Sequence, residues 1–276
     1  LHRRRHSFPT RRSSDLAPLA STNGAEIPAF DPLSKRAFTS SNSGIQVINL
    51  TNPAAPSFIN TIAPASLGVA GLTSNDVSSV TVRKGTGGNP SVLAAAIISS
   101  PKSALGYVIF INPATGALIG SSQVGANPDH IAFSPDGTKL LVANEGELDA
   151  VNAAPTVIAS DTTIGSVSII SVPAVITGVP TSLPTATADF TGYDSQSAAL
   201  SAAGVRIFQG GKPSTDFEPE YFAISADSTK ALVTLQEANA VATLDLATAT
   251  FTSVVPLGKK TFSTRRHDFS DRAGLT

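Results

Sequence analysis

The chain has 276 residues, enough for one large β domain or two ordinary ones, and its 41% hydrophobic content suffices for a packed core built without tryptophan. Cysteine is absent, which excludes disulfides, thiolate metal sites and cysteine nucleophiles. The formal net charge is −1, but residues 1–16 hold five Arg and one Asp; the rest carries 14 basic and 19 acidic residues, a mild acidity that argues against nucleic acid as a partner.

Methionine is absent, also at position 1. The stretch His6 to Leu16, HSFPTRRSSDL, reads as the in-frame translation of a synthetic sequencing adaptor. Residues 1–16 are therefore expected to be non-native and 17–25 a linker, to be set aside before fold reasoning. Ala17 to Ala20 is too short for the apolar region of a signal peptide. No apolar run approaches the ~20 residues of a spanning helix.

From Glu26 the chain reads as short strands divided by turn signals. A first unit (26–64) uses Ile27–Phe30, Arg36–Ser40, Gly44–Leu50 and Ser57–Ile62. A second (76–124) uses Ser78–Arg83, Ser91–Ile98, Gly106–Ile111 and Ala117–Gln123. A third (128–190) opens with Pro128–Glu147, PDHIAFSPDGTKLLVANEGE, and continues through Gly165–Val172 and Thr185–Phe190. An insertion at 193–216 holds the one helix candidate: Asp194 or Ser195 can cap it, SQSAALSAA forms it and Gly204 stops it. A fourth unit (219–257) uses Tyr221–Ser225, Ala231–Leu235, Ala240–Leu246 and Thr250–Val255, and 258–276 reads as the start of a further, truncated unit.

The third unit's hairpin returns 91 residues later as PEYFAISADSTKALVTLQE, Pro219 to Glu237. Repetition means one supersecondary unit used several times. Aligned on Phe30, Val82, Phe133 and Ile224, the units are spaced by 52, 51 and 91 residues. Four antiparallel strands repeated at such a period predict an all-β fold, a β-propeller with about four blades present. In Val167–Ile170 and Ala231–Leu235 both strand faces are apolar or small, which predicts blades covered on both sides. The absence of a closing unit predicts a fragment of a larger ring, because an open fan leaves blade faces uncovered.

Ser134-Pro135-Asp136-Gly137 has the composition of a type I turn and connects strands. In a propeller the residues before the first strand and after the second share one rim. That places Asp129, Glu145, Glu147 and Asp149 of the third unit with Asp216, Glu218, Glu220 and Glu237 of the fourth, beside His130 and Gln236. Three readings stand: a solvated acidic rim, a site for a hard cation such as Ca²⁺, or a catalytic acid/base pair. The candidate metal ligands are Asp129, Glu145, Glu147, Asp216, Glu218 and Glu220. In extended chain the alternating Asp216, Glu218 and Glu220 point one way. The sequence has no G-x-S-x-G elbow, no P-loop and no H-E-x-x-H pair.

Pro128–Glu147, GSVSIISV (Gly165–Val172), GVRIF (Gly204–Phe208), DFEPEY (Asp216–Tyr221) and LQEANAVATLDL (Leu235–Leu246) together resemble the bacterial choice-of-anchor I domain, whose animal-side relatives are mesenchyme-specific cell surface glycoproteins. The similarity runs from Gly24 to Gly274, where Ser270-Asp271-Arg272-Ala273-Gly274 is similar to the family's S-D-R-D-G. Leu148 and Ala238 depart from the family's usual Pro and Asn. The resemblance implies a secreted or surface-anchored propeller with no agreed catalytic residues, an extracellular ligand (protein, glycan or phosphoester), and an anchor outside this chain. DFEPEY is also similar to the acidic motif of esterase-like phytases, calcium-dependent propellers. Two functions follow: a non-catalytic binding or adhesion module, calcium-stabilised, and, as the alternative, a calcium-dependent phosphoester hydrolase. The latter would use Asp216, Glu218, Glu220, Glu145 and Glu147 to hold metal and orient water, with Arg206 and Lys212 for phosphate.

Overall fold

The computed structural model describes residues 26–146, 163–176, 181–207 and 211–259. The strands form four antiparallel sheets in chain order. The first holds β1 (Pro28–Asp31), β2 (Arg36–Thr39), β3 (Ile45–Asn49) and β4 (Ser57–Ile62). The second holds β5 (Val77–Arg83), β6 (Val92–Ile97), β7 (Leu105–Ile111) and β8 (Leu118–Ala126). The third holds β9 (Pro128–Phe133), β10 (Lys139–Asn144), β11 (Ser166–Ser171) and, after a two-residue strand β12 (Thr181–Ser182) that pairs in parallel with β8, β13 (Thr185–Asp189). The fourth holds β14 (Pro219–Ile224), β15 (Lys230–Leu235), β16 (Ala240–Asp245) and β17 (Thr250–Pro256). The first strands β1, β5, β9 and β14 lie side by side from sheet to sheet, so they face the axis of a propeller-like fan.

Among the described residues the core is three layers, one between each pair of neighbouring sheets. Alternation along a strand sends successive side chains to opposite faces, and the fan uses both. In β6, Leu93, Ala95 and Ile97 join Phe38, Ile45 and Val47 of the first sheet. Its other face, Val92, Ala94 and Ala96, joins Ile131, Leu140 and Val142 of the third. In β10, Leu141 turns the other way, to Ala231, Val233 and Leu235 of the fourth. The second and third sheets are thereby sealed on both sides. In the two outer sheets one face is open among the described residues. Leu232, whose strand pattern predicts cover, is 54% exposed, and Phe58 of β4 is 48% exposed. The apolar pattern was right for the inner sheets; at β15 there is no described neighbour on the far side to remove water.

The hairpin turns form as their chemistry predicts. The Gly137 N–H donates to the Ser134 carbonyl at 2.8 Å, and the Ser134 hydroxyl donates to Asp136 Oδ1 at 2.6 Å. The fourth sheet repeats the arrangement with Ser225 and Asp227. Where the third sheet has Gly137 at φ +71°, the fourth has Ser228 at φ +59°. A side chain is strained there, yet the Ser228 hydroxyl accepts the Asp136 N–H at 3.1 Å and so ties the two turns together. Further ties on these hairpins run from Arg83 Nη1 to the Gly137 carbonyl at 2.7 Å and from the Ser91 hydroxyl to Asp31 Oδ1 at 2.6 Å.

The insertion forms a 3₁₀ turn over Thr191–Gln196 and then helix α1 (Ser197–Ala203), stopped by Gly204 in the left-handed region. Neither Asp194 nor Ser195 caps it: Gln196 stands at the cap with no side-chain bond, and the Asp194 carboxylate accepts instead from the Ser214 N–H and hydroxyl, both at 2.9 Å. A second short helix, α2 (Pro213–Asp216), follows. Phe190, stacked on Phe251 at 3.9 Å, and buried Phe217 wedge this insertion into the layer between the third and fourth sheets.

Candidate functional site

The site is built on the N-terminal ends of the axial strands. Counting back four residues from the aligned Phe30, Val82, Phe133 and Ile224 gives Glu26, Ser78, Asp129 and Glu220. Three of the four sheets thus place a carboxylate at one register position beside the axis. Ser78 occupies the remaining position and donates to the Pro128 carbonyl at 2.6 Å, tying the second sheet to the third. One residue further on, His130 and Tyr221 stack across the sheet boundary, centroids 4.4 Å apart at 28°, with Phe222 tilted against His130 at 4.7 Å.

The charges act on one another. Burial first, then the charge of Glu26, pushes the Asp129 carboxyl above the usual carboxylate range. Glu220 is raised by burial, then by Glu237 and by Asp129. The Tyr221 phenol is pushed up by burial, followed by Asp129, Glu220 and Glu26. His130 is pushed down by burial alone. Removal from water penalises every charged form here, and like charges add to the penalty for the acids. Glu237 contributes from the β15–β16 turn; its Oε2 is enclosed without a hydrogen-bond partner among the described residues.

Of the candidate ligands, Asp129 and Glu220 meet at this rim. Glu145 lies at the crossing from β8 to β9: its N–H donates to the Asn127 carbonyl at 3.1 Å and its carboxylate accepts from the Asn127 amide. Asp216 closes helix α2 instead of extending into β14, so Asp216, Glu218 and Glu220 do not share one extended face. Pro213 at the first helical position explains the difference, since its fixed φ starts a helical turn. Glu147 and Asp149 lie outside the described residues. Among the described residues no three His, Asp or Glu side chains form a group that could hold one metal ion. Glu26 was missed by pairing only the third and fourth units; the same register count from Phe30 finds it.

The choice-of-anchor I domain model matches residues 26–276, and the chain belongs to that family. No curated protein matches the chain. Among solved structures, the Myceliophteria thermophila Cps50 (Swd1) β-propeller domain is similar at 10% identity with a TM-score of 0.51, over 82% of this chain and 58% of that one. The Dos1 propeller is similar at 13% identity with a TM-score of 0.51, over 85% of this chain and 49% of that one. The chain therefore spans about half the length of these propellers. At such identities the likeness establishes the β-propeller fold and nothing about partners. Among the described residues no helix is long and apolar enough to cross a membrane.

Proposed function

We propose that this choice-of-anchor I domain is a non-catalytic extracellular or cell-surface binding module that receives a cationic group of its partner at the axial rim of Glu26, Asp129 and Glu220. The observation that carries the reading is the shared register of these carboxylates beside a half-exposed aromatic shelf, Tyr221 stacked on His130. Carboxylates raised by burial and by one another gain from any cation that neutralises them. Tyr221, 47% exposed, offers a ring face to the same cation. Family membership supports the extracellular setting. The sequence supplies no nucleophile motif for an enzymatic reading.

The test is thermal melting of the full chain with and without an oligolysine peptide, with EDTA as the metal control, alongside assays for phosphate release from phytate and nucleotides. The peptide should raise the melting temperature, and Asp129→Asn with Glu220→Gln should abolish the rise. Phosphate release that depends on Asp129 or Glu220 would overturn the non-catalytic reading in favour of a hydrolase. A response to the peptide unchanged by the double variant would move the cationic group away from the rim.

A further inference from the structure

The turn that carries Glu237 has a second side. Its carboxylate acts on Glu220 towards the axis, while its main-chain carbonyl accepts Arg206 Nε from the insertion. Arg206 is held twice, because its backbone N–H also donates to the Ala238 carbonyl at 2.8 Å. Lys259 reaches the same place from the end of the fourth sheet. The Leu257 N–H donates to the Asn239 carbonyl at 2.9 Å, and the Asn239 amide donates to the Gly258 carbonyl at 2.8 Å. Between them lies a cavity of about 610 Å³, lined also by Ser201, Gln236 and Asn239.

Among the described residues no carboxylate lines this cavity. Among the described residues neither the terminal nitrogens of Arg206 nor the Lys259 ammonium has a partner. At the helix end beside it, the Gly204 and Val205 N–H groups take up the Leu200 and Ser201 carbonyls. Among the described residues two formal positive charges thus stand unneutralised, in a chain whose residues after 16 sum to −5. A guanidinium whose Nε is already spent on a carbonyl presents its two remaining nitrogens as a fixed fork, the geometry that suits an oxyanion.

We propose that this cavity between the insertion and the β15–β16 turn binds an oxyanion, the phosphate or sulfate ester of a larger ligand, through Arg206 and Lys259. The volume exceeds what an inorganic ion fills and leaves room for the group that bears it. The site is separate from the axial carboxylates and does not depend on the function proposed for them.

The experiment titrates the ¹⁵N-labelled full chain with inorganic phosphate, methyl phosphate and methyl sulfate at low salt. Amide shifts should concentrate at residues 201–206, 236–239 and 257–259 and saturate. Arg206→Gln and Lys259→Gln should each weaken binding on the order of tenfold, as loss of a charge-assisted contact predicts. Lys230→Gln, on the open face of the fourth sheet, should leave it unchanged. Saturation by phosphate alone, or by sulfate alone, supports the site and assigns the ester. Shifts spread over all exposed lysines, or equal loss in the Lys230 variant, would reduce the effect to non-specific charge and overturn the proposal. So would the absence of saturable shifts. Lys259 is exposed at the edge of the described fold, so its variant remains a fair test even if the Arg206 variant melts early.

Discussion

His130 of the third sheet stacks on Tyr221 of the fourth, ring centroids 4.4 Å apart, at corresponding positions of two repeats. This contact joins the sheets exactly where their carboxylates repel, so it opposes the separation that Asp129 and Glu220 would otherwise favour. His130→Ala should cost about 1 kcal/mol, the usual worth of an aromatic pair, and lower the melting temperature by about 2–4 °C. It should also change the pH profile. Burial lowers the folded-state His130 pKa. Below its ordinary value near 6.5 the unfolded chain therefore binds a proton that the folded chain refuses. That part of the stability is complete above the ordinary value and is lost as pH falls from there through the folded value. The wild type should show this loss in melts across the window and the variant should not.

Glu220 has the opposite sign. Its folded pKa is raised, so its ionisation costs stability at neutral pH, and the cost disappears as pH falls through the folded value towards the ordinary 4.5. Glu220→Gln should therefore raise the melting temperature at pH 7 by about 1–3 °C, the scale of a partly exposed charge interaction. At pH 4 the gain should vanish. A variant that melts lower than wild type at pH 7 would show that Glu220 is already neutralised.

The Asp136 carboxyl is lowered to about 2 by the Ser134 hydroxyl, then by the Thr138 N–H and hydroxyl. Its contribution is present above the ordinary value of 3.8 and is lost as pH falls through the folded one. Asp136→Asn should flatten the acid limb of the stability curve between about pH 4 and pH 2. Urea denaturation at a series of acid pH values reads this directly.

Ser228 supplies a paired comparison. Ser228→Ala keeps the strained positive φ and removes the acceptor of the Asp136 N–H, and should cost about 1 kcal/mol. Ser228→Gly removes the same acceptor but relieves the backbone, and should be nearly neutral. Equal losses in the two variants would mean that the backbone strain is negligible.

Local chemistry was legible in the sequence; the presence of neighbours was not. Ser134-Pro135-Asp136-Gly137 and its counterpart at Ser225 determine their turns by short-range bonds, so their structure could be read from composition. The two-sided apolar pattern of Ala231–Leu235 looks like that of β10, but an apolar residue is buried only if something covers it, and Leu232 is not covered. Alternation of Asp216, Glu218 and Glu220 assumed extended chain, and Pro213 imposed a helical turn instead. Asp129 and Glu220 share one register because the repeat aligns the strands that carry them. The pairing of Arg206 with Lys259 joins parts of the chain 53 positions apart and follows from no periodicity.

The layered core also determines how the molecule comes apart. In a stack whose units touch only their neighbours, free energy is a sum of unit and interface terms. Among the described residues, releasing an outer sheet breaks one apolar layer, whereas releasing an inner one breaks two. The two ends are not equivalent, because Phe190 and Phe217 enlarge the layer beneath the fourth sheet. Amide hydrogen exchange should accordingly proceed as a directional fraying: β2 and β3 first, β15 and β16 next, and β6 and β10 only with global unfolding.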